Sequence, residues 1–122
     1  MLTLICGLPN AGKTTYSANF QNVIHADDVI GGKGKIKDFV KDMVDDICIE
    51  GIFISAYERG KLVEWYDGDG CTCIWIDTPY EVCCQREDRN RSTVLIENCK
   101  TLWQDPSYDE GWDEIIRIPY NG

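Results

Sequence analysis

Leu2-Thr3-Leu4-Ile5-Cys6 runs directly into Gly7-Leu8-Pro9-Asn10-Ala11-Gly12-Lys13-Thr14. The first five residues read as a strand buried on both faces of a parallel sheet, stopped by Gly7. Gly7, Gly12, Lys13 and Thr14 satisfy GxxxxGK[ST] between that strand and a helix start, the context in which this spacing cradles phosphates. The glycines let the loop curl so that backbone N–H groups point inward, and a helix N-terminus adds roughly half a positive charge. Lys13 is then placed to reach the β and γ phosphates of ATP, and the Thr14 hydroxyl to ligate Mg²⁺. Pro9, Asn10, Ala11 and Thr15 complete the expected nucleotide-binding segment.

Outward from the loop, strands and helices alternate. A helix is expected from Lys13 to about Gln21, a second strand over Asn22–Ala26, and a flexible glycine-rich loop over Gly31–Lys35. Ile36, Phe39, Val40, Met43 and Val44 recur at helical spacing, predicting a helix to about Asp45. Asp46–Glu50 reads as the third strand. Ser55 with Glu58 is a candidate capping box opening a helix to about Tyr66, stopped by Asp67-Gly68-Asp69-Gly70. Cys71–Ile76 is the fourth strand, and Asp77-Thr78-Pro79 starts a helix carrying Arg86 and Arg89. A helix over about Thr93–Trp103 and a strand over Glu114–Ile118 close the chain. The expected fold is α/β: a P-loop NTPase fold with a five-stranded parallel sheet, helices on both faces and a short lid.

At 122 residues, one core can be buried and a second cannot, so residues 1–122 are expected to form a single domain. The hydrophobic fraction of 43% and mean hydropathy of -0.30 are those of a globular chain. A net charge of -9 and a pI near 4.4 exclude non-specific coating of nucleic acid. Lys33, Lys35 and Lys37 nevertheless cluster, as do Arg86, Arg89 and Arg91. No apolar run approaches the ~20 residues that span a bilayer, so neither signal peptide nor membrane anchor is expected. Seven cysteines, an odd number without framework spacing, favour a reducing, cytoplasmic setting. Cys71 and Cys73 share a strand face, a spacing that suits a metal pair or, more simply, core thiols.

Transfer of a phosphoryl group to an alcohol needs an acceptor for the hydroxyl proton, and strand-tip carboxylates suit that task. Asp27 and Asp28 occupy one such tip. Glu50 occupies another, as a candidate to hold Mg²⁺-bound water or to orient the acceptor. Arg86 and Arg89, three apart on a helix, suit a lid that stabilises charge on the moving phosphoryl group.

These residues resemble the kinase domain of polynucleotide 5′-hydroxyl kinases and their small P-loop relatives over nearly the whole chain. The resemblance matches Asp27, within Ala26-Asp27-Asp28, to the family's general base. It matches Glu50 and Arg59 to an acid, short loop and helix arginine, and Asp77-Thr78-Pro79 with Arg86 to the segment leading into the lid. It also matches Pro106 and Glu110-Gly111-Trp112 with Ile115 to the family's C-terminal pattern. It implies ATP and Mg²⁺ as cofactors and a hydroxyl acceptor such as a nucleic acid 5′ end; Asp28, Arg59 and, from the glycine-rich loop, Lys33 and Lys35 are the expected substrate contacts. The chain departs from the pattern at Ile30, where the bacteriophage members carry an arginine that grips the acceptor strand, and at the apolar Ile52 and Phe53. A small-metabolite kinase and a non-catalytic nucleotide-binding module therefore stand beside the polynucleotide reading.

Overall fold

The computed structural model describes residues 1–43, 45–86 and 93–121. Its strands are β1 (Leu2–Cys6), β2 (Val23–His25), β3 (Ile47–Gly51), β4 (Cys71–Asp77) and β5 (Glu114–Pro119). They form one sheet in the order β2-β3-β1-β4-β5. Every pairing is parallel. The helices are α1 (Lys13–Ser17), α2 (Gly32–Asp42), α3 (Ala56–Trp65), α4 (Tyr80–Gln85) and α5 (Thr93–Leu102), with 3₁₀ turns at Ala26–Asp28 and Tyr108–Glu110.

The alternation of side chains along each strand divides the core in two. Leu2, Leu4 and Cys6 face one way with Ile47, Ile49, Cys71 and Cys73, against Ile36 and Val40 of α2 and Leu62 and Tyr66 of α3. Ile5, Cys48, Ile74 and Ile76 face the other way, against Ala11, Cys83 and Ile96. β1 is the central strand, so its apolar residues are covered on both sides; burying each of the large ones contributes roughly 1.5–3 kcal/mol. Cys71 and Cys73 do share a face, and it is the core face: both are buried. The described residues contain no group of three or more His, Cys, Asp and Glu placed to hold a metal.

Element boundaries depart from the sequence expectation where short-range bonds compete with the helix. α1 ends at Ser17 rather than near Gln21. The Ser17 hydroxyl donates to the Thr14 carbonyl and the Asn19 amide to the Tyr16 carbonyl, drawing the chain into a tight turn. The segment expected to be a flexible glycine loop is instead the first turn of α2, entered through Gly31 at φ 101. Ile36 and Val40, 5% and 0% exposed, fix that helix onto the sheet and carry the preceding glycines into it. Ser55 caps α3 by accepting from the Glu58 N–H, but the Glu58 carboxylate accepts from the Ser55 hydroxyl instead of the backbone. The complete capping box lies elsewhere, between Ser107 and Glu110.

Candidate active site

The carboxyl ends of β1, β2, β3 and β4 open onto a cleft of about 810 Å³. This is where a parallel α/β sheet places its ligands, outside the strand ends. One wall is the loop from Pro9 to Thr15 with Arg86; the other carries His25, Asp27, Asp28 and Glu50.

The loop wall is held mainly by bonds to its own backbone. Lys13, 7% exposed, donates from Nζ to the Leu8 carbonyl at 2.7 Å, spanning the loop. The Thr78 hydroxyl donates to the Ala11 carbonyl at 2.7 Å, and the Asn10 amide to the Cys83 carbonyl at 3.2 Å. Asn10 adopts φ 65, a left-handed conformation that asparagine tolerates better than most residues. Gly12 is at φ 103, and a Cβ there would stand 3.3 Å from the Arg86 guanidinium. Gly7 sits behind the loop: a Cβ on it would lie 2.7 Å from the Ile76 carbonyl, so glycine lets β1 turn into the loop against β4.

Asp77-Thr78-Pro79 supports this wall in three ways. Asp77 pairs with Arg117 of β5 at 2.7 Å, Thr78 bonds the loop, and Pro79 caps α4. Arg86, at the end of α4, donates to the Asn10 carbonyl at 2.8 Å and lies 5.9 Å from the Tyr120 ring centre. It thus belongs to the phosphate-loop wall itself. Arg89 and Arg91 fall outside the described residues.

The second wall is assembled from two strand ends. Asp27 and Asp28 are exposed in the 3₁₀ turn that follows β2. Glu50 is buried at 8% exposure and bonds the His25 Nδ1 through Oε2 at 2.9 Å. His25 and Glu50 are register neighbours in the β2–β3 pairing, which is why the two side chains meet. Beneath them, burial and then the Glu50 charge push the Cys48 thiol up to about 11. Burial also raises Cys83 on the loop side. These thiols are therefore neutral packing groups at ordinary pH.

Arg59 and Lys35, expected to contact substrate, stand outside the cleft. Arg59 is 0% exposed and does not line the cleft. Its guanidinium donates to both Glu110 carboxylate oxygens, at 2.8 and 3.0 Å, and to the carbonyls of Phe53, Ile54 and Gln104. Glu110 also accepts from the Trp112 indole and the Ser107 N–H, each at 3.0 Å. The Glu110-Gly111-Trp112 segment is thus the counterpart of a buried cation that anchors the chain leaving β3. Lys35 stands on α2 with its ammonium 5.5 Å from the Phe39 ring centre and is not among the cleft residues. Lys33 is likewise on α2 rather than in a loop.

Compared with solved structures, the chain superposes on a gluconokinase from Sinorhizobium meliloti 1021 at TM-score 0.69 and 11% identity, covering 98% of this chain and 82% of that one. A sugar kinase from Janibacter sp. HTCC2649 superposes at TM-score 0.71 and 14% identity, covering 97% and 84%. The chain has the P-loop kinase fold. No family model and no curated protein sequence matches it.

Within this fold the residues present suit a nucleotide and its metal. Gly12 holds the left-handed φ of 103 beside Arg86, Lys13 and Arg86 both line the cleft, and Thr14 is exposed at its edge. Glu50, expected near the metal, has one oxygen committed to His25. Sequence reasoning missed His25, Tyr16, Asn19, Ile76 and Ile118 as cleft residues. The signal for His25 was its place two residues before Asp27, at the carboxyl end of the same strand.

Proposed function

We propose that the chain is an ATP- and Mg²⁺-dependent phosphotransferase that moves the γ-phosphoryl group to a hydroxyl of a small metabolite. The observation that carries this reading is the facing arrangement of the cleft: the loop from Pro9 to Thr15 with Arg86 on one wall, Asp27 on the other. Lys13 and Arg86 hold and neutralise the phosphate oxygens, whose charge spreads over the equatorial positions during transfer. Asp27 takes the proton of the acceptor hydroxyl as that oxygen bonds to phosphorus and the β–γ bridging oxygen departs with ADP. Thr14 would hold Mg²⁺, which would supply charge neutralisation to the phosphates.

A small acceptor is favoured over a nucleic acid 5′ end. Ile30 is 93% exposed where a polynucleotide-binding member would present a cation, and a chain of net charge -9 repels a polyanion. The gluconate and sugar kinase neighbours support the same choice. The test is incubation with ATP, Mg²⁺ and a panel of sugars, polyols, sugar acids, nucleosides and 5′-hydroxyl oligonucleotides, read by product mass. A phosphorylated small alcohol is expected. Tight ATP binding with no phosphorylated product from any acceptor would leave a nucleotide-binding module instead.

A further inference from the structure

A second groove, of about 340 Å³, lies between α2 and α3, and no residue lines both it and the cleft. Its volume falls within the roughly 300–1,000 Å³ of small-molecule sites. The lining is aromatic: Phe53, Tyr57 and Trp65, together with the buried Ile36 and Leu62. Phe53 reaches the groove from a left-handed backbone at φ 45, which a bulky residue adopts only under restraint. Two contacts supply that restraint. The buried Arg59 donates to the Phe53 carbonyl at 2.7 Å, and the ring packs on the end of β3, where a Cβ on Gly51 would stand 2.7 Å from it.

Two ammonium groups stand on these rings. Lys37 Nζ is 5.6 Å from the Trp65 ring centre, and Lys61 Nζ is 5.2 Å from that of Tyr57. Lys61 also pairs with Glu64 at 3.2 Å. Lys37 makes no ion pair with a described residue, in a chain whose 21 acidic side chains outnumber its 12 basic ones. Glu58, the carboxylate among the lining residues, accepts from the Ser55 hydroxyl at 3.3 Å. Gly34 lies within α2 without a positive φ, and a Cβ on it would meet nothing within 4 Å. Neither its backbone nor a close neighbour requires glycine there; its effect is to leave the groove open on the α2 side.

We propose that this groove is a second ligand site, for a small aromatic carboxylate whose ring packs among Phe53, Tyr57 and Trp65 and whose carboxylate accepts from Lys37 Nζ. Three rings favour an aromatic ligand over an aliphatic one, because ring pairs gain more than the burial of their area. The charge of Lys37, held over an indole and not against an acid, favours an anion, with which it forms a charge-assisted hydrogen bond. An aromatic cation would meet Lys37 and Lys61 with like charge. The proposal does not depend on the phosphotransferase reading, since the groove and the cleft share no residue.

Calorimetric titration of the full chain with indole-3-acetate tests it and should show a single site per chain. Cyclohexylacetate keeps the charge without the aromatic ring, and tryptamine keeps the ring with the opposite charge. Each should bind about ten-fold more weakly or worse. Lys37→Met keeps the stem over Trp65 and removes the charge, and should weaken indole-3-acetate about ten-fold. Gly34→Leu should abolish binding while the urea midpoint stays or rises, because leucine suits a helix better than glycine. A saturating non-hydrolysable ATP analogue should leave the affinity unchanged. The wild type gives a reading free of any effect on folding: the Trp65 indole N–H resonance, assigned by its loss in Trp65→Phe, should shift on adding indole-3-acetate. No binding, no shift at Trp65, equal affinity for cyclohexylacetate or tryptamine, or displacement by the ATP analogue overturns the proposal. So does wild-type affinity in both Lys37→Met and Gly34→Leu.

Discussion

The phosphate-loop wall is built largely from neighbours in sequence, Pro9 to Thr15, held by bonds to the backbone of Leu8, Asn10 and Ala11. The opposite wall draws His25, Asp27, Asp28 and Glu50 from the ends of two strands joined only by sheet register. The first wall carries Lys13 and Arg86; the second carries three carboxyl side chains and an imidazole. In the proposed transfer the phosphoryl group crosses from the loop wall to the acceptor oxygen, and the proton that oxygen loses passes to Asp27 on the second wall. One wall of the cleft is thus a short local motif, whereas the other exists only through long-range strand pairing.

The largest expected effect concerns the support behind the second wall. Arg59→Ala leaves Glu110 buried without its cation and should cost about 3–5 kcal/mol, read as a lowered urea midpoint. A stable Arg59→Ala protein with weakened acceptor binding would return Arg59 to the substrate role expected from sequence. Next, Lys13→Ala should reduce turnover by about 10²–10³-fold and weaken ATP binding, with a far smaller change in urea midpoint. If Lys13→Ala impaired only the acceptor KM, the assignment of the two walls would be reversed.

The smallest effect is a pH dependence beneath the second wall. The Cys48 thiol is held neutral to about 11, whereas its unfolded form ionises from near 9.0. In that window the unfolded state binds fewer protons, so stability is retained below about 9 and falls as pH rises through the folded value. The urea midpoint should therefore drop over this range. Glu50→Gln should lessen the drop, because the Glu50 charge is the second cause of the shift after burial. An unchanged midpoint would show that Cys48 is more open than the packing indicates.

Much of the fold was legible because buried parallel strands are short apolar runs, and each of the five expected from sequence is present within a residue or so at either end. The loop wall was legible for the same local reason. What sequence did not disclose lies in contacts between distant segments. Arg59 reads as a site residue until Glu110, 51 positions away, is seen to neutralise it. His25 meets Glu50 only because the β2–β3 register sets the two side by side. Gly32 and Gly34 read as loop because glycine has poor helix propensity, yet the core contacts of Ile36 and Val40 outweigh a cost of roughly 1 kcal/mol per glycine.

The division of labour between the two walls is tested most directly by Asp27→Asn, measured for both ATP affinity and phosphoryl transfer. The substitution removes the proton acceptor and nothing from the phosphate-loop wall. ATP should bind as in the wild type while transfer falls by about 10²–10⁴-fold. Full turnover by Asp27→Asn, or loss of ATP binding along with activity, would contradict the account.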